Sequence, residues 1–182
     1  MAILRVVVTG GVGAGKTSLI RTISEIDVVD TDRRATDEVA QFKEKTTVAL
    51  DFGRLTIARD QSLHLYGTPG QMRFDFMWDI LIAKAHAYIL LIDAHRPEQL
   101  RFGRRILSFI NQKLKLPHII GLTHTDCPDA WEAEDVAIAL GLVDEKARPP
   151  IITVNATNKA SVAQALIALV HEIANFHKDS TL

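Results

Sequence analysis

The chain is poor in the features that mark specialised protein classes. Cys127 is its single cysteine among 182 residues, which excludes an intramolecular disulfide framework and any zinc site built on several cysteines. A lone thiol also fits a reducing compartment. No apolar run approaches the roughly 20 residues that a membrane helix needs, and His86 interrupts residues 85–92, the longest stretch. Charge of one sign is missing too. Twenty-one Lys and Arg stand against 22 Asp and Glu, for a net charge of -1, so no global basic field marks nucleic acid or an acidic membrane surface as a partner. Residues 1–5 lead into a glycine-rich loop instead of a cleavage site, Ala2 stands where myristoylation requires glycine, and the final Ser-Thr-Leu carries no cysteine for prenylation. The expectation is a cytoplasmic protein without lipid anchor.

What is present is an ordinary globule. Hydrophobic residues make up 47 % and charged residues 24 %, and the length suits one domain. No internal repeat or low-complexity tract breaks it. Short apolar runs at residues 3–9, 87–93, 119–122 and 151–154 read as strands, and helical patterns lie between them. Leu19, Ile20, Ile23 and Ile26 form one helix face. Pro97 stands near the start of another, carrying Leu100, Ile106, Leu107, Ile110 and Leu114. Residues 135–140 end at Gly141 as a C-cap, and Val162, Leu166, Leu169, Val170, Ile173 and Phe176 form a terminal amphipathic helix. Val48, Leu50 and Phe52 alternate in one phase and Leu55 and Ile57 in the other, which predicts a bulge at Gly53. Residues 58–61 read as a hairpin turn into Leu63 and Leu65. Strands interleaved with helices predict a doubly wound α/β sheet of six strands, mostly parallel, with one antiparallel strand in that hairpin.

The strongest motif is Gly10-Gly11-Val12-Gly13-Ala14-Gly15-Lys16-Thr17. It matches G-x-x-x-x-G-K-[ST] between a strand and a helix, which is the context the motif requires. The glycines let backbone N–H groups wrap a phosphate. Lys16 supplies a cation for β- and γ-phosphates, Thr17 a hydroxyl for Mg²⁺, and the helix N-terminus a partial positive charge shared by Ser18. Nucleoside triphosphate binding follows. Kinases, ATPases and GTPases all use such a loop, so later residues must choose among them.

Those residues resemble the small Ras-type GTPases over essentially the whole chain, most of all the prokaryotic MglA-like, Arf-like branch, through Thr-Thr-Val-Ala-Leu-Asp-Phe-Gly and Gly-Thr-Pro-Gly-Gln. The resemblance implies one P-loop G domain over residues 1–182 that binds GTP or GDP with Mg²⁺. It implies that Thr47, with Thr46 the neighbouring alternative, binds Mg²⁺ and the γ-phosphate beside Thr17. It implies that Gly70 senses the γ-phosphate and that Gln71 orients the attacking water, with Lys16 and Thr47 completing the catalytic set. Gly67 departs from the family, which has aspartate there to hold a water on the metal; Asp51 and Asp93 are the two carboxylates that could stand in. Lys45 is a candidate internal cation.

Thr123-His124-Thr125-Asp126 stands where the family has Asn-Lys-x-Asp. Asp126 is expected to accept bonds from guanine N1–H and N2–H₂, and His124 to lie on the base. Thr123 is shorter than asparagine and is not expected to make the same bonds. Asn155-Ala156-Thr157 stands for Ser-Ala-Lys, with Ala156 offering its N–H to guanine O6 and Thr157 lacking the lysine stem. Residues 74–78 correspond to switch II, where at least one of Phe74, Phe76, Met77 and Trp78 is expected to be exposed in one state. By resemblance, partners are an effector and a GTPase-activating protein of the Roadblock type, meeting the switch regions. Two other readings stay open: a P-loop phosphotransferase, and a degenerate G domain that holds nucleotide without turnover. Of the seven histidines only His124 carries a functional argument, and the basic run Arg101, Arg104, Arg105, Lys113 and Lys115 reads as a solvated face.

Overall fold

The computed structural model describes residues 2–30, 50–69 and 75–179. Lys45, Thr46, Thr47, Gly70, Gln71 and Phe74 therefore lie outside the described residues, as do the side chains of Phe76 and Met77.

β1 (Ala2–Gly10) leads through the glycine loop into α1 (Lys16–Ile23), then to β2 (Val29–Asp30), β3 (Asp51–Ala58) and β4 (Gln61–Gly67). α2 (Asp75–Ala83) and β5 (Ala87–Asp93) follow. A 3-10 turn (Pro97–Gln99) then opens α3 (Leu100–Lys113), before β6 (His118–Thr123), α4 (Ala133–Leu140), β7 (Ile151–Thr153) and α5 (Lys159–Asp179). The sheet runs in the order β2-β3-β4-β1-β5-β6-β7. β3 is antiparallel to both neighbours and the remaining pairs are parallel. One strand thus runs against all the others, as expected.

The sheet has seven strands among the described residues where six are predicted. The addition is β2, whose two residues pair Val29 with Phe52 and Asp30 with Asp51. Two residues are too few for any alternation to register in the sequence. The bulge is also displaced. Gly53 sits in regular register opposite Leu65, and the irregularity falls between Thr56 and Ala58. Gly53 instead serves a close approach: a Cβ there would meet Ile20 Cγ2 at 2.6 Å, so its absence lets α1 lie directly on β3. Leu114, counted with the α3 face, is an extended C-cap residue and is exposed.

Strand alternation divides the core between the two faces of the sheet. Val6, Val8, Ile89 and Leu91 pack with α1 and α5 through Leu19, Ile20, Leu166 and Leu169. Val7, Tyr88, Leu90 and Ile92 pack with α2, α3 and α4 through Trp78, Ile106, Ile110 and Val136. All seven residues of β5 are buried, as expected of a central parallel strand covered on both faces. The chain leaves β1 toward β4 on one side and later occupies β5 on the other, and this reversal opens a crevice at the carboxyl ends of the strands.

Candidate functional site

The loop after β1 fills that crevice. Gly13 and Gly15 hold φ of 77° and 102°, values that residues with a side chain rarely adopt. Gly15 is also the N-cap of α1, so the turn directs the free N–H groups of the helix into the crevice. A cavity of about 670 Å³ opens there. Gly13, Gly15, Lys16, Thr17 and Ser18 line one end. Thr123, His124, Thr125 and Asp126 after β6, with Asn155, Ala156 and Thr157 after β7, line the rest. Three segments far apart in the chain therefore meet in one space.

Gly11, Val12 and Ala14 shape the loop through their carbonyls instead of lining the cavity. Gly10 and Gly11 accept hydrogen bonds from Lys16 Nζ at 2.9 and 2.6 Å. Val12 accepts one from Gln99 Nε2 at 3.0 Å, and Ala14 accepts one from Thr123 Oγ1 at 2.8 Å. Thr123 is thus buried and braces the loop, despite being shorter than the expected asparagine. Burial lowers the Lys16 ammonium to about 8, with the Asp51 carboxylate opposing the shift. The group stays largely charged at neutral pH, where an anion would meet it.

Thr17 Oγ1 donates a hydrogen bond to Asp51 Oδ2. Asp93, the other candidate carboxylate, is engaged elsewhere. It lies 3.6 Å from Arg96 Nε and 3.4 Å from His124 Nδ1, and it accepts the His95 N–H at 3.0 Å. His124 has φ of 56° and lies 3.1 Å from the Thr123 hydroxyl. Asp126 lines the cavity, and among the described residues nothing pairs with its carboxylate. Asn155 Oδ1 accepts the Thr157 N–H and hydroxyl at 3.1 and 2.8 Å, which fixes the turn around Ala156. The Ala156 carbonyl accepts from Thr22 Oγ1 of α1 at 2.6 Å, so this turn is tied to the loop's own helix.

Gln99 escaped the sequence reading, and so did Arg96, whose Nη1 lies 3.5 Å from where a Gly13 Cβ would stand. A Gly11 Cβ would meet Gln99 Oε1 at 2.4 Å. No motif marks either residue; only the turn signal at Pro97 places them near a helix start. Trp78 is 2 % exposed and packs against Phe102, tilted, and Phe109, edge-on, of α3, with ring centroids 5.7 Å apart in each pair. Lys113 of the basic run pairs with Asp79 and lies over the Phe109 ring, so part of that run joins α2 to α3. Among the described residues no group of three or more His, Cys, Asp or Glu could hold a metal by itself, and no helix is long and apolar enough to cross a membrane.

A family model described as a conserved hypothetical ATP binding protein matches residues 26–176. An uncharacterized protein of Methanocaldococcus jannaschii is 30 % identical over 132 residues, covering 72 % of this chain and 76 % of that protein. Among solved structures, the Arl6 BBS3 small GTPase of Trypanosoma brucei with a bound nucleotide analogue, GppNp, superposes with a TM-score of 0.71. That match has 16 % identity and covers 96 % of this chain and 99 % of the other. The fold is that of a small Ras-like GTPase.

Proposed function

We propose a guanine-nucleotide switch: the chain belongs to the family of conserved hypothetical ATP-binding proteins, it has the small-GTPase fold, and its cavity favours guanine at the base end. The observation that carries this reading is the single space that joins Lys16 and Thr17 to the carboxylate of Asp126. A carboxylate only accepts hydrogen bonds. Guanine offers it N1–H and N2–H₂, whereas adenine presents an acceptor at N1. Hydrogen bonds to a charged group contribute about 1.5–3 kcal/mol each, so two favour guanine by roughly 3–6 kcal/mol. The family's description names ATP, and base choice is therefore the first property to measure.

The residues suit a magnesium nucleotide. Thr17 and Asp51 bring hard oxygen atoms to the mouth of the phosphate loop, which is the donor chemistry Mg²⁺ prefers. Thr17 and, by resemblance to the GTPases, Thr47 would hold the ion, which would supply positive charge to offset that of the phosphates. The loop N–H groups, Lys16 and the N-terminus of α1 hold the phosphates. Gln71 and Gly70, by resemblance to the GTPases, orient the attacking water and sense the γ-phosphate. Asn155 and Thr157 hold Ala156 at the base, and His124 covers it. Unassisted turnover in this class is on the order of 10⁻⁴ per second, which leaves room for an activator, of the Roadblock type by resemblance, and for an effector that reads residues 68–80. The working setting is one cytoplasmic G domain over residues 1–182, without nucleic acid.

Competition binding tests the base. GTP is expected to outcompete ATP at least a hundredfold, and Asp126→Asn to weaken GTP while improving XTP, whose base carries an acceptor in place of the N2 amine. Equal wild-type affinity for ATP and GTP would sink the guanine assignment. Single-turnover phosphate release tests the chemistry: slow release that falls further in Gln71→Leu supports hydrolysis. A second reading, nucleotide held without turnover, draws on Gly67 and on the missing lysine at Thr157, and no phosphate release at all would favour it.

A further inference from the structure

We propose that Asp51, reaching across from β3, takes over the metal-holding role of the carboxylate that position 67 lacks, binding the Mg²⁺ of the nucleotide through the Thr17 hydroxyl and ordered water. The inference rests on the magnesium-nucleotide reading above and adds to it a residue outside the loop motif.

Three observations place the carboxylate. Asp51 and Gly67 are direct partners across the antiparallel pair of β3 and β4. A Cβ built on Gly67 would meet Asp51 Cβ at 3.1 Å and Asp51 Oδ2 at 3.4 Å, so the Asp51 side chain occupies the space into which a residue at 67 would point. That same Oδ2 accepts the hydroxyl of Thr17. A hydroxyl that gives its proton to a carboxylate has its lone pairs turned outward, and such partners orient a metal ligand and raise its donor strength. Asp51 is also near enough to act on the Lys16 ammonium, so its charge faces the phosphate end of the cavity.

The geometry also explains why position 67 is glycine. Aspartate there would set two carboxylates in contact and press on Ile20 Cδ1, 3.0 Å from the added Cβ. One carboxylate fits at this place, and here β3 supplies it. Asp93 does not compete, because Arg96, His124 and the His95 N–H occupy its oxygens.

Release of a fluorescent GDP analogue from the full chain, timed in excess Mg²⁺ and in EDTA, tests the assignment. In the wild type Mg²⁺ should slow release, and the ratio of the two rates measures the hold of the metal. Asp51→Asn keeps the shape and removes the charge. It should lower that ratio about tenfold or more. Asp51→Ala should do the same, so the test survives if either variant folds poorly. Exchanging the residues, as Asp51→Gly with Gly67→Asp, should return the ratio toward wild type. A wild-type ratio in both single variants overturns the assignment and leaves the nucleotide reading standing, as does a wild type that binds GDP indifferently to Mg²⁺. A wild type that binds no guanine nucleotide overturns the nucleotide reading itself, and this assignment with it.

Discussion

The phosphate loop is held between two walls that are built differently. On one side β5 is a fully buried parallel strand and β6 is buried beyond His118, and Thr123 at the end of β6 reaches the Ala14 carbonyl directly. On the other side β3 and β4 form an antiparallel hairpin near the sheet edge, and there the contact to Thr17 comes from Asp51 on the neighbouring strand. Each wall lacks a residue that the GTPase pattern places there. In the inner wall the replacement is the same residue position with a shorter side chain, because close packing already brings β6 near the loop. In the outer wall the replacement is a different position, because cross-strand partners in an antiparallel pair share one face and either can fill it. What the loop requires is an oxygen atom at a place, and two different backbones deliver it.

The largest effect should come from the residue that both walls surround. Lys16→Ala removes the ammonium that would meet the phosphates, and two charge-assisted bonds at about 1.5–3 kcal/mol each would be lost with it. GTP and ATP should therefore weaken alike, by roughly a hundredfold or more, in a fluorescent-nucleotide titration. A loss confined to one base would mean that Lys16 serves the base end and that the two walls do not frame a phosphate site.

A smaller effect should separate the walls. Thr123→Val keeps the shape of the side chain and leaves the Ala14 carbonyl without its buried partner, at a cost of about 1–3 kcal/mol. For a chain of this length that lowers the melting temperature by roughly 2–12 °C. Asp51→Asn should change melting far less and Mg²⁺ dependence far more. If thermal melting showed equal losses for the two, the inner and outer walls would not differ in kind.

The smallest effect lies at the opposite end of β6. His118 stacks on Tyr88 with ring centroids 4.4 Å apart, and its Nδ1 donates to the Leu116 carbonyl at 2.9 Å. Burial pushes His118 below the usual histidine range despite that bond, and burial together with Arg5 and His177 does the same to His86. A histidine whose value is lowered by folding takes its proton first in the unfolded chain. The contribution of these two histidines to stability is therefore level above about pH 6.5 and declines as the pH falls below it. Denaturant midpoints at pH 7 and pH 5 should show the decline, and His118→Phe should remove part of it. An unchanged pH slope in that variant would take His118 out of the account.

Much of this was legible in the sequence because it is local. The glycine loop, its lysine and threonine, the strand-helix alternation, the hairpin and the Gly141 cap each depend on neighbours within a few residues, where period and turn chemistry act. β2 was not legible, since two residues carry no period, and the bulge was misplaced. Gly53 reads as a break in alternation, but its reason is α1 passing 2.6 Å from where its Cβ would be. Trp78 could be marked as a large apolar group near the γ-phosphate sensor, yet only the packing of α3 decides that it is buried.

By itself, then, the sequence determined the order and type of most elements, β2 apart, and the chemistry of the loop, because both are written in short-range spacing. The tertiary structure decided which distant side chains complete the site. Thr123 meets Ala14 across 109 positions and Asp51 meets Thr17 across 34. Gln99 meets Val12 across 87. Such meetings depend on strand register and on how closely a helix can approach the sheet, and both are set by the packing of the whole core, not by any segment within it.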